Sequence, residues 1–215
     1  DLFTDNSGGN NVILEFVGDE NSEINIDSGS NPELYRLVVN KGIDADVSLT
    51  INSNFSLNGP TDVYPHALEL QNGSLVLNHS DIDIDLVSGG ADFPIPSTTA
   101  LIVSAGKINA TADGYGIFLD GLLKLENDSE AHFYDGSNES DTYIYYSSTG
   151  NARIEILDDA KLFVGSQIRG NTAASNASGI LKYSQSGGEV IIGRNFVPEN
   201  NRAVLEIFNT GSAFN

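Results

Sequence analysis

The chain has no cysteine, no methionine and no tryptophan among its 215 residues. Without cysteine there can be no disulfide framework and no thiolate metal site. Without methionine, even at position 1, the chain is expected to be a processed or excised piece of a longer product. Basic residues are scarce: 10 Lys and Arg stand against 30 Asp and Glu, for a net charge of −20. Binding to nucleic acid phosphate needs the opposite sign, so that class is excluded. An anionic membrane surface is disfavoured for the same reason. No apolar run approaches the roughly 20 residues needed to cross a bilayer, and no signal peptide opens the chain. Direct membrane insertion is therefore not expected.

Helical periodicity is also missing, while alternation is present throughout. Val47, Leu49 and Ile51 alternate with Ser48, Thr50 and Asn52. Ile82, Ile84 and Leu86 alternate with Asp81, Asp83 and Asp85. Strands of this kind bury one face and wet the other. Turn residues such as NG, DG, TG and GG lie between them. The chain reads as all-β.

Seven glycines punctuate this pattern: Gly42, Gly73, Gly106, Gly121, Gly150, Gly188 and Gly211. Each follows an apolar strand and precedes another, as in LELQNGSLVLN and IFLDGLLKLEN. Several segments continue into a third short strand: SDIDIDL, EAHFYDG and AKLFVGS. A fixed local pattern with variable spacing points to a solenoid, in which each turn is a coil of about three strands. Glycine would supply the unusual dihedrals at the corner. NSEINIDSGSNPE, GGADFPIPSTT and RGNTAASNAS read as insertions, with Pro94 and Pro96 keeping the second out of a central strand. The reading is a right-handed parallel β-helix of about seven irregular turns, as one segment over 1–215. An antiparallel β-sandwich is the alternative, since Asn-Gly between alternating strands is a strong hairpin signal. The last segment, AVLEIFNTGSAFN, stops inside a repeat, so the stack is expected to continue in a longer parent.

GNARIEILDDAKLFVGSQIRG, GILKYSQSGGEVIIG and AVLEIFNTGSAF resemble the repetitive β-helical regions of very large surface proteins of Bacteroidota. Those are exported by the type 9 secretion route and include adhesins of gliding bacteria. Autotransporter passenger domains share the style. The resemblance covers residues 100–215 best and 34–90 loosely. It implies an extracellular or cell-surface location and a stalk-like or adhesive role. It also implies a glycan or protein ligand outside the cell, contact with the secretion machinery during export, and no catalytic residue.

Few constellations in the sequence could carry chemistry. In SDIDID, Asp81, Asp83 and Asp85 would project from one strand face about 7 Å apart. Such a row could take calcium, the one cation expected here. It could also serve a polysaccharide lyase or glycoside hydrolase, which is the alternative function. Against the enzyme stands the lack of a nearby Lys or Arg in the sequence. The plainest reading is a solvated acidic face. Asp44, Asp46, Asp158 and Asp159 read as turn residues. His66, His79 and His132 lack ligand spacing and read as structural. In YIYYSS, Tyr143 and Tyr145 share a face and could stack on a sugar, with Tyr146 on the other face. Asn-x-Ser/Thr recurs, as at Asn72 and Asn109, at a level the Asn and Ser content explains.

Overall fold

The computed structural model describes residues 12–26, 31–59, 65–87, 90–112, 114–134, 142–147, 150–170 and 179–193, with the backbone of 204–205. Among these residues there is no helix and every strand pairing is parallel. The first coil holds β1 (Ile13–Gly18), β2 (Ser22–Ile24) and β3 (Glu33–Leu34). The second holds β4 (Arg36–Lys41), β5 (Ser48–Ile51) and β6 (Ser56–Leu57). The third is one bent strand, β7 (Leu68–Asp85), and the fourth is β8 (Phe93–Ile95) and β9 (Thr99–Asn109). Next come β10 (Ile117–Leu119), β11 (Leu122–Leu125) and β12 (Glu130–Phe133), then β13 (Ile144–Tyr146), β14 (Asn151–Ile156) and β15 (Lys161–Val164). The last full coil holds β16 (Gln167–Gly170), β17 (Ile180–Gln185) and β18 (Glu189–Ile192), and β19 (Val204–Leu205) follows.

These strands make a three-faced parallel β-helix, consistent with the right-handed winding that parallel crossovers almost always take. One face runs β2-β5-β7-β9-β11-β14-β17 without a break. Seven strands make six steps, so the described stack has about six turns. At one strand spacing per step its length is roughly 29 Å.

The core is built from stacked rows. Leu49, Leu75, Leu101, Leu123 and Ile154 are in register one above the other, and all are fully buried. Ile51, Leu77, Val103, Leu125 and Ile156 form the row beside them. On the third face Ile84, Ile108, Ala131 and Leu162 repeat the device. Burying each Leu or Ile is worth about 1.5–3 kcal/mol over leaving it in water. The period-2 alternation seen in the sequence is what places these residues inward.

The corners differ from the sequence expectation in two ways. The glycines do not share one corner. Gly42, Gly73, Gly121 and Gly150 turn the chain between the first and second faces, while Gly106 and Gly188 turn it between the second and third. Nor do all of them supply a dihedral. Gly42, Gly73, Gly106 and Gly188 have φ of +60, +87, +86 and +65°, but Gly121 and Gly150 do not enter the left-handed region. At Gly121 the requirement is space: an added Cβ would lie 2.2 Å from the Pro96 carbonyl oxygen and 2.3 Å from that of Thr99. Gly211 lies outside the described residues.

The insertions are also revised. NSEINIDSGSNPE contains β2, and GGADFPIPSTT contains β8, so both supply faces of coils rather than loops outside them. Pro94 sits within β8, which pairs with β10 on one side and lies beside β7 without a ladder on the other. Proline has no N–H to donate, so a ladder gap at this strand is the expected consequence. Residues 171–178 of RGNTAASNAS lie outside the described residues.

Asn72-Gly73 makes no hairpin. A type I′ turn needs positive φ at both central residues. Only Gly73 has it, so the chain bends a corner inside β7 and does not reverse. The Asn72 amide instead donates to the Asn40 Oδ1 one coil earlier at 3.0 Å, and Asn40 donates to Glu15 at 3.3 Å. A second file runs Asn78 to Asn52 at 2.8 Å and Asn52 to Asn25 at 3.1 Å. Thus some asparagines form short files from coil to coil, while others bond carboxylates or main-chain groups of the neighbouring coil.

Val12, Ile13 and Val17 are exposed, and an apolar hollow of about 110 Å³ opens among Leu14, Phe16, Ile24, Leu34, Ile51 and Phe55.

Candidate functional site

On the face formed by β8, β10, β13 and β16, alternate residues point outward. Pro94, Phe118, Tyr145 and Arg169 occupy one register position in successive coils. Strand pairing spaces them by one coil, so the rings meet. Phe118 and Tyr145 lie 4.9 Å apart between centroids, tilted by 37°. Tyr143 is two residues before Tyr145, its ring 5.3 Å away, and the Arg169 guanidinium stands 5.1 Å from the Tyr143 centroid. The structure therefore brings Tyr143 and Tyr145 together on one face, as the alternation implied. It sends Tyr146 into the core, where it is fully buried.

Asp92 fixes this strip. Its Oδ2 accepts the Tyr145 hydroxyl at 2.7 Å, across two coils, and its Oδ1 accepts the Gly116 N–H at 2.8 Å. Gly116 lies between Asp92 and Tyr143, and an added Cβ there would fall 2.0 Å from the Tyr143 carbonyl oxygen. The glycine leaves room for the Tyr143 main chain to pass close by. Burial, reinforced by the Asp92 charge, pushes the Tyr145 hydroxyl well above the usual phenol range, so it stays a donor. Pro94, Phe118, Asp92 and Arg169 were not singled out in the sequence. Their signal is register: Phe118 stands nearer to Gly121 than Tyr145 stands to Gly150, so aligning glycines does not align the rings.

Asp81, Asp83 and Asp85 alternate along β7, and each is engaged locally or with the next coil. Asp83 pairs with Lys107 at 2.9 Å and accepts the Asn109 amide at 2.5 Å. Asp85 accepts the Thr111 hydroxyl and the Val87 N–H, and Asp81 accepts the Ser80 hydroxyl at 3.3 Å. The sequence showed no cation near this row. Lys107, a whole coil further along the chain, is brought against it by strand pairing. Among the described residues no three His, Cys, Asp or Glu side chains gather as a metal site.

No family model, curated protein or solved structure matches the chain.

From Asp83 a column of alternating charge runs across the coils. Asp83, Lys107, Glu130, Lys161 and Glu189 stand in register through five coils. Lys161 bonds Glu130 at 2.8 Å, and this holds the Glu130 carboxyl below its usual range against the upward pull of burial. Individual exposed pairs contribute little, but a column couples them. Lys107→Glu would place three carboxylates side by side. It is expected to lower stability by about 1 kcal/mol and to make the loss salt-sensitive. An unchanged urea midpoint in low and high salt would show that the column contributes nothing.

Each of the three histidines contacts neighbouring groups. His132 bonds Glu130 at 2.8 Å and lies edge-on to Phe163 at 4.8 Å, and His79 Nδ1 accepts the Asp81 N–H at 3.2 Å. His66 is buried edge-on against Phe93 at 5.4 Å. Burial lowers its pKa below 6.5, with Arg36 adding to the effect and Asp92 opposing it. The unfolded chain then binds a proton that the folded chain resists. Stability is full above pH 6.5 and falls as pH drops from 6.5 toward the folded value. Urea midpoints should be lower at about pH 5.5 than at about 7.5, and His66→Phe should remove most of that difference. An equal fall in the variant would assign it to other groups.

The turn aspartates lie as expected. Asp44 Oδ1 accepts the Asp46 N–H at 3.0 Å, and Asp158 turns with φ of +53°. Asp158 also reaches the preceding coil, accepting the Asn127 N–H at 3.1 Å.

Proposed function

We propose that the chain is a structural and adhesive section of a large secreted cell-surface protein, carried to the surface as cargo of the type 9 secretion route. The observation that carries the structural part is the unbroken parallel ladder with aligned aliphatic rows. Every coil but the outermost is held on both sides by backbone hydrogen bonds, which suits a stiff rod that spaces and presents other surfaces. The acidic surface keeps such a rod soluble and separate from its neighbours. Against a glycan-cleaving reading, Asp83 is committed to Lys107 and Asn109, and Asp85 to Thr111 and the Val87 N–H. The adhesive part rests on the ringed outer face of β8, β10, β13 and β16.

The experiment is antibody labelling of intact source cells, with and without protease shaving, alongside a strain lacking this segment. Surface labelling that shaving removes, together with weaker attachment of the deletion strain, is the expected result. Labelling only after the cells are opened would sink the surface assignment.

A further inference from the structure

We propose that the strip of Pro94, Phe118, Tyr143 and Tyr145, flanked by Asp92 and Arg169, is a binding platform for an uncharged oligosaccharide lying across the coils. This deepens the adhesive reading and rests on it.

The argument begins with spacing. Parallel pairing repeats one outward position every strand step, so Pro94, Phe118 and Tyr145 form a rigid file. A run of ring surfaces at fixed intervals suits a ligand that is itself a run of flat, weakly apolar rings. The C–H faces of pyranoses pack on aromatic faces, while their hydroxyls need polar partners at the edge. The edge supplies them: the Asp92 carboxylate accepts and the Arg169 guanidinium donates. The file is also preorganised. Asp92 holds the Tyr145 hydroxyl, and Phe118 braces its ring at 4.9 Å, so few rotamers are lost on binding.

Charge selects the ligand's class. The chain carries −20, and Asp92 borders the strip, so a polyuronate or sulfated glycan would meet repulsion. The cation of the strip, Arg169, is already stacked over Tyr143. Nucleic acid, whose bases would also stack, is disfavoured by the same charge.

The chain has no tryptophan, so its ultraviolet emission comes from tyrosine, and Tyr143 and Tyr145 contribute to it. The whole chain would be titrated with uncharged hexasaccharides (β-linked glucan, α-linked mannan and chitin oligomers) and, separately, with oligogalacturonate. The expected result is saturable binding of at least one uncharged oligomer that changes little between low and high salt. Phe118→Ala and Tyr143→Ala should each weaken it by about tenfold. Lys107→Gln, on a different face, should leave it unchanged. Circular dichroism of each variant guards against a folding defect, and Tyr145→Phe, which keeps the ring, provides a milder check with an expected loss of a few fold.

No binding of any uncharged oligomer at millimolar concentration would overturn the proposal. So would binding confined to oligogalacturonate and abolished by salt, or binding indifferent to Phe118→Ala and Tyr143→Ala in folded variants. If cells still attach through this segment while glycan titrations stay blank, the platform is wrong and the adhesive reading survives. If the segment is not at the surface, the wider reading fails whatever the titrations show.

Discussion

Gly106→Ala is expected to destabilise the folded chain by about 3 kcal/mol. Two costs combine. The residue has φ of +86°, where an L side chain is strained by roughly 1–2 kcal/mol. The new Cβ would also lie 2.6 Å from the His79 carbonyl oxygen and 2.7 Å from that of Ile82. Both are main-chain atoms of the preceding coil, in the stretch of β7 held between the paired positions Asn78 and Asp83, so relieving the clash requires backbone rather than a side-chain end to move. Gly150→Ala is the informative contrast. There φ is ordinary, and the close atom, 2.0 Å away, is the Asp120 carboxylate, the end of a side chain that can swing aside. Its expected cost is below about 1 kcal/mol. Urea unfolding of the two variants beside the parent tests this. Equal losses would mean that close approach to fixed backbone is not what glycine provides at the Gly106 corner.

Leu101→Ala is expected to cost about 3–4 kcal/mol, near the upper part of the range for a buried leucine. Leu101 is fully buried in the middle of its row, with Leu75 on one side and Leu123 on the other. Coils held at the strand spacing cannot close over the lost methyls, so the cavity persists. The damage should also be local, because each coil contacts mainly its neighbours. Hydrogen exchange should accelerate most in β7, β9 and β11 and least in β1 and β17. Tyr183→Ala, at the half-buried far end of the same row, should cost distinctly less. Uniform acceleration along the whole chain would show that the stack unfolds as one cooperative unit instead.

The sequence alone disclosed the class of structure, because alternation of period two is imposed by the strand itself and needs no knowledge of partners. Val47-Ser48-Leu49-Thr50-Ile51 must turn Leu49 and Ile51 to one side, and both are in fact fully buried. The recurring strand–Gly–strand pattern likewise marked tight corners, since a residue without Cβ is needed wherever chain passes close to chain. What the sequence left undecided was register. Whether Gly73 reversed the chain or bent it depended on the φ of Asn72 and on the Asn40 amide one coil away. Lys107 is a full coil removed from Asp83, and nothing in the local sequence places it against the acidic row. Phe118 and Tyr145 are likewise separated by a coil, at unequal distances from their corner glycines. Coil length varies too: the chain takes a much shorter path from Leu101 to Leu123 than from Leu123 to Ile154, yet each pair is in register. With no fixed period, only the hydrogen-bonded ladder can say which residue stands above which. The inward rows therefore follow from the chain's own alternation, whereas the outward columns, both the charge column and the aromatic strip, exist only because tertiary stacking sets the register between coils.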